Sequence, residues 1–135
     1  MNKPGFILFC FLLLLSTATF GQKKLNYRTK INYRNVPVVD SAVGYASFYS
    51  DRFVGKRTSN GEIFSQKKLT CAHNTLPLGT MVRVTNLRNG RSVVVKVNDR
   101  LHKRNPRLVD LSKAAAKKID FKKAGVIRVR VEVVK

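Results

Sequence analysis

Three stretches of this sequence alternate valine with polar side chains, and that alternation limits the fold more than any other feature. In "MVRVTN", Val82 and Val84 alternate with Arg83 and Thr85. "SVVVKVND" places Val93, Val95 and Val97 on one face. "VIRVRVEVVK" turns Ile127, Val129, Val131 and Val133 one way and Arg128, Arg130 and Glu132 the other. A period of two marks a strand buried on one face only. Between the first two runs lies "LRNGR", where Asn89-Gly90 is expected to supply the positive φ angles of a tight turn, making 81–97 a hairpin. "VGYASFY", from Val43, is a further short strand, aromatic and β-branched. Helix is scarce: Ser112 stands as an N-cap before "KAAAKKI", room for about two turns. Short strands with one short helix predict a mainly β protein, a small closed barrel without free sheet edges.

The first fifth of the chain breaks that pattern. "MNKPG" carries Lys3, and residues 6–15, "FILFCFLLLL", form an apolar run well short of the roughly 20 residues that cross a bilayer. With "STATFGQ" after it, this reads as a secretory leader over 1–21, cut after Gly21, with Ala18 as the competing site. Bulky Phe9 before Cys10 argues against lipid attachment there. Residues 22–42 read as a basic linker, and 43–135 as one domain around a single core. Beyond the leader Cys71 stands alone, so no internal disulfide can close and packing must hold the fold.

Lys and Arg outnumber Asp and Glu by 27 to 7, a formal net charge of +20. Such a surface attracts polyanions. Inside a cell nucleic acid would come first. An exported chain in the periplasm or cell wall meets wall polymers and lipid head groups instead. No nucleic-acid partner and no transmembrane anchor are expected, and the protein is expected to be a monomer. The charge also fits a plain role in solubility.

Common catalytic signatures such as G-x-S-x-G, H-E-x-x-H and C-x-x-C are absent. Cys71, His73 and His102 fall one ligand short of a structural zinc site, so neither metal nor cofactor is expected. What remains is a few polar groups at element ends, where a rigid scaffold presents reactive side chains. Asp99 lies in "VNDR", Asp110 in "LVDLS", Glu62 after Asn60-Gly61 and His73 in "TCAHNTLPLGT". Each has a plainer reading as well. Asp99 suits a turn carboxylate bonding a backbone N–H. Asp110 suits an acid near a helix start. Glu62 suits a solvated turn, and His73 a histidine satisfied by backbone.

Together the motifs point further. "GYASFY", "TSNGEIFSQKKLTCAHNTLPLGTMVRVTNLRNGRSVVVKVNDR" and "LVDLSKAAAKKI", followed by the closing valine-rich strand, resemble the rare lipoprotein A (RlpA) family of septal lytic transglycosylases. The resemblance covers about residues 43–135 and implies a six-stranded double-psi β-barrel. It implies an endolytic enzyme that cuts the β-1,4 bond between N-acetylmuramic acid and N-acetylglucosamine of peptidoglycan glycan strands, leaving 1,6-anhydro ends. A non-catalytic glycan-binding module, as in expansins, is the alternative. The family's functional positions fall on Asp99, Glu62 and His73, expected to line one groove as the catalytic set. Asp99 is expected as the acid, with a nearby Glu62 raising its pKa. Asp110, Tyr45, Tyr49 and Arg100 are expected to bind substrate. The chain has Leu101-His102 where the family has Gly-Pro, and Phe48 where it often has Trp, leaving Tyr45, Phe48, Tyr49 or Phe64 for stacking on sugar.

Overall fold

The computed structural model describes residues 38–121 and 123–135. The expected leader and the basic segment up to residue 37 lie outside them. Six strands, β1 (Val38–Phe48), β2 (Thr70–His73), β3 (Met81–Asn86), β4 (Ser92–Arg100), β5 (Val109–Leu111) and β6 (Ile127–Val134), close into a barrel in the order β1-β5-β2-β4-β3-β6. β1 begins at Val38, so the last residues of the stretch read as linker are strand, paired with the end of β6.

The valine alternation closes the barrel. Val82, Val84, Val93, Val95, Val97, Val129 and Val131 are buried with Ala46, Cys71, Val109 and Leu111 from the other strands. Each fully buried valine or leucine contributes about 1.5–3 kcal/mol over leaving it in water. Arg128 and Arg130 point outward, as the alternation requires. Burial raises the Cys71 thiol well above its ordinary pKa, so it stays an inert part of the core. Helix α1 (Lys113–Lys118) adds Ala115 and Ala116, while Ile119 and Phe121 follow it into the core. Ser112 is its N-cap: the side-chain oxygen accepts the Ala115 N–H at 3.3 Å and donates to the Lys68 carbonyl at 2.6 Å.

The β3–β4 hairpin forms, but its turn differs from the tight turn expected. The strands leave five residues, 87–91, between them, and Gly90 alone takes a positive φ, 74°, while Asn89 does not. The cause lies outside the hairpin. The side-chain amides of Asn86 and Asn89 both donate to the Ile119 carbonyl at the end of α1, at 3.0 and 3.1 Å. Their carbonyl oxygens accept the Arg88 and Arg91 N–H groups. The loop is shaped to hold the helix end.

Two parallel pairs, β1–β5 and β2–β4, with β2 antiparallel to β5, bring Ser47, Asp110, Ala72 and Asp99 into one row across four neighbouring strands. A bulge completes the row. The β2–β4 register shifts between Cys71, opposite Val97, and Ala72, opposite Asp99, leaving Asn98 as the extra residue. Strict alternation would turn Asp99 inward after Val93, Val95 and Val97. The extra residue instead puts it on the outer face beside Ala72. No helix among the described residues is long and apolar enough to cross a membrane.

Candidate active site

That row floors an open cleft of about 460 Å³, lined by Ser47, Phe48, Tyr49, Ser50, Arg52, Phe53, Ala72, Asp99, Arg100, Leu101, Arg107 and Asp110. Two carboxylates face it, on strands roughly 10 Å apart with β2 between them.

Asp99 is held from both sides. Its Oδ2 accepts the Tyr49 hydroxyl at 2.7 Å. Its Oδ1 accepts the Ser59 hydroxyl at 2.7 Å, the Ser59 N–H at 3.0 Å and its neighbour's Arg100 N–H at 2.9 Å. Partial burial pushes the carboxyl upward, but these hydrogen bonds to the charged form outweigh it and hold the pKa below the ordinary value. Tyr49 is itself fixed by packing. Its ring stacks on Phe64 at 4.3 Å, with Ala72, Phe53 and Leu101 around the pair. Burial, then the bond to Asp99, keep its hydroxyl protonated.

Asp110 is matched by a cation. Arg107 donates from Nε to Oδ1 at 2.8 Å and from Nη2 to Oδ2 at 3.0 Å, and the Ser47 hydroxyl reaches Oδ1 at 2.6 Å. Arg100, exposed at the rim, donates to the His73 carbonyl at 3.2 Å. Tyr45 is 55% exposed and does not line the cleft.

Glu62 and His73 do not line it either. The turn 58–62 folds through Gly61, whose φ of 87° is a conformation that glycine adopts freely. It lays Glu62 across the outer face of β4, where Oε1 pairs with the Lys96 ammonium and accepts Asn60 Nδ2 at 2.8 Å, and Oε2 accepts Asn98 Nδ2 at 3.2 Å. The bond from Lys96, then those from Asn98 and Asn60, lower its pKa to about 2. A carboxylate neutralised in this way does not supply the like-charge repulsion expected to raise Asp99. The His73 side chain lies in a separate hollow of about 100 Å³, with Asp40, Leu76, Leu108 and Val133 among its walls. Its Nδ1 accepts the N–H groups of Thr75 and Leu76, both at 3.1 Å. Burial, then the charge of Arg100, lower its pKa and favour the neutral ring.

Residues 41–131 match the family described as lytic transglycolase. The chain belongs to the RlpA family. An endolytic peptidoglycan transglycosylase RlpA of Campylobacter jejuni is 52% identical over 99 residues, covering 73% of this chain and 36% of that protein. The Pseudomonas aeruginosa RlpA is 46% identical over 116 residues, 83% of this chain and 34% of that protein. The chain therefore spans little more than a third of the length of these curated relatives. Among solved structures, a Streptomyces papain inhibitor has a TM-score of 0.60 at 24% identity, covering 74% of this chain and 99% of that one. An expansin of Clavibacter michiganensis in complex with cellohexaose has a TM-score of 0.58 at 21% identity, covering 71% and 51%. These two share the fold alone, the double-psi β-barrel of the RlpA family.

Three residues in and around this RlpA-type cleft carry no obvious mark in the sequence. Ser59 sits inside T-S-N-G-E, and its neighbours Asn60-Gly61 signal the turn but not the target of its hydroxyl. Arg107 and Lys96 are two cations among 27, and only their partners distinguish them.

Proposed function

We propose that this chain carries an exported lytic transglycosylase domain of the RlpA type. It acts in the periplasm or cell wall on the bond between N-acetylmuramic acid and N-acetylglucosamine. The relatives' names supply the substrate class, peptidoglycan, and the reaction class. One observation favours Asp99 as the reacting group: of the two carboxylates in the cleft, Asp110 is neutralised by a guanidinium, while Asp99 is held by uncharged donors alone. Protonating Asp99 leaves no cation stranded.

An ordinary glycosidase needs two carboxyl groups. A transglycosylase recruits its nucleophile from the substrate, so one suffices. Asp99 gives its proton to the glycosidic oxygen as the bond to muramic C1 breaks. The muramic O6 attacks C1 and returns its proton to Asp99, closing the anhydro ring and regenerating the acid. The free site favours the carboxylate. A sugar seated in the cleft displaces water, strengthens the burial effect already acting on Asp99, and draws it toward the protonated form. Arg100 and Arg52 at the rim suit an anionic glycan, and the basic surface attracts other anionic wall polymers. The domain works as a monomer.

A binding module without chemistry is the competing reading, and the aromatic packing disfavours it. Tyr49 and Phe64 cover each other's faces, so neither offers a flat platform to sugar. Asp99→Asn assayed on peptide-free glycan strands separates the two readings. Release of anhydro-muramyl products, read by mass spectrometry, is expected to fall by about 10²–10⁴-fold, the usual contribution of a general acid. Undiminished release removes Asp99 from the role, and no anhydro ends from the unaltered domain removes the enzyme reading.

A further inference from the structure

The ion pair between Lys96 and Glu62 lies outside the cleft, yet the turn it pins reaches in. Residues 58–62 form one compact unit. The Thr58 N–H donates to the Glu62 carbonyl at 2.8 Å, the Gly61 N–H to the Thr58 carbonyl at 2.9 Å, and the Thr58 hydroxyl to Asn60 Oδ1 at 2.7 Å. This unit is bonded to β4 at three residues, Lys96, Asn98 and Asp99. Glu62 meets Lys96, the Asn60 N–H reaches the Asn98 carbonyl at 3.2 Å, and Ser59 gives two donors to Asp99. Asn98 depends on the same arrangement: its Nδ2 bonds Glu62, while its Oδ1 is buried without a partner among the described residues.

We propose that Lys96 is a positioning residue for Asp99: by holding Glu62 on β4 it fixes the turn 58–62, and with it both Ser59 donors on the Asp99 carboxylate. Glu62 then serves the reaction as the hook of that turn, not as a second acid in the cleft. The proposal deepens the transglycosylase reading and rests on it only for consequences on rate. Around Asp99 the other ionisable groups are Tyr49 just after β1, Arg52 from the turn that follows, Arg100 on β4 itself, and Asp110 with Arg107 from the β5 side. None of these touches Lys96 or Glu62 by any hydrogen bond or ion pair described, so the turn is the connection between the pair and the cleft. With the turn released, Asp99 loses donors that favour its charged form, and its protonation moves to higher pH.

The sign of the effect separates positioning from plain electrostatics. Lys96→Met removes a positive charge, and Glu62→Ala removes a negative one. Direct charge effects would move Asp99 protonation in opposite directions, up in the first variant and down in the second. Release of the turn moves both upward. The full chain, with ¹³C-labelled aspartate, is titrated by NMR for the unaltered protein, these two variants, Ser59→Ala and Lys96→Arg. The expected result is an upward midpoint for Lys96→Met, Glu62→Ala and Ser59→Ala, and an unchanged one for Lys96→Arg. A fall or no change in Glu62→Ala overturns the proposal. Both side chains of the pair are about one-third exposed, 38% and 33%, which favours folding of the variants, and Lys96→Gln carries the same test if Lys96→Met fails to fold. The titration needs no turnover, so a domain that produces no anhydro ends sinks the enzyme reading while leaving this result standing.

Discussion

The two ends of β4 treat charge in opposite ways. At its C-terminal end Glu62 is met by Lys96, Asp110 by Arg107, and Asp99 by a hydroxyl-and-amide cradle. At its N-terminal end the hairpin loop, the end of α1 and the start of β6 present Arg88, Arg91, Lys117, Lys118, Lys123 and Arg128, all exposed, against Asp120, which approaches Arg91 at 3.9 Å. Order at that end comes from uncharged groups, the Asn86 and Asn89 amides on the Ile119 carbonyl. Polar bonds at the cleft end therefore fix individual atoms, whereas cations at the hairpin end act through their summed field and need no fixed geometry.

Substitutions at each end can break this contrast. Asp110→Ala strips Arg107 and Ser47 of their partner at the cleft floor and is expected to lower stability by about 2–3 kcal/mol in urea unfolding. A loss within about 0.5 kcal/mol, the usual range for surface changes, would mean the pair does not hold the floor. Asn86→Ala, at a position 2% exposed, is expected to cost about 1–2 kcal/mol while product release per folded molecule stays unchanged. A matching fall in turnover would show that the hairpin end reaches the cleft.

Acid should weaken the cleft end first. Glu62 has its pKa lowered from 4.5 to about 2, so its contribution is whole above 4.5 and disappears as pH falls toward 2. His73, lowered from 6.5, likewise contributes above 6.5 and loses that contribution as pH falls below it. Urea midpoints should decline from pH 7 to pH 3, and Glu62→Gln should flatten the part of the curve below 4.5. The smallest effect belongs to the exposed arginines. Arg88→Gln combined with Arg128→Gln should change stability by less than about 0.5 kcal/mol. The same pair should weaken retention on purified wall at low salt, a difference that vanishes near 1 M salt, where the screening length is about 3 Å.

What the sequence made legible was local. Valine alternation marks strands because the side-chain period is a property of each strand alone, and Ser112 marks its helix because a cap bonds within three residues. The hairpin turn departs from the tight turn that Asn89-Gly90 predicts because its shape follows from Ile119, thirty residues on. Asp99 could be picked out by its motif, but its outward aim depends on a bulge defined against β2, a strand some two dozen residues earlier. Glu62 and His73 were expected beside it because all three recur in one family pattern. Such a pattern fixes order along the chain and says nothing of which strand face a side chain takes. In the sequence Lys96 is indistinguishable from its fellow cations; only Glu62 against it sets it apart.

β6 lies between β1 and β3, and Val38 sits beside Val134. Two edges of the barrel thus wait for β6, the last of the six strands in chain order, so a growing chain has no way to complete the barrel's pairings until that strand has been made. Assembly becomes one late, long-range event of the kind that folds slowly. Any delay leaves hydrogen-bonding edges open to neighbouring chains, a hazard that ends when the last valines dock.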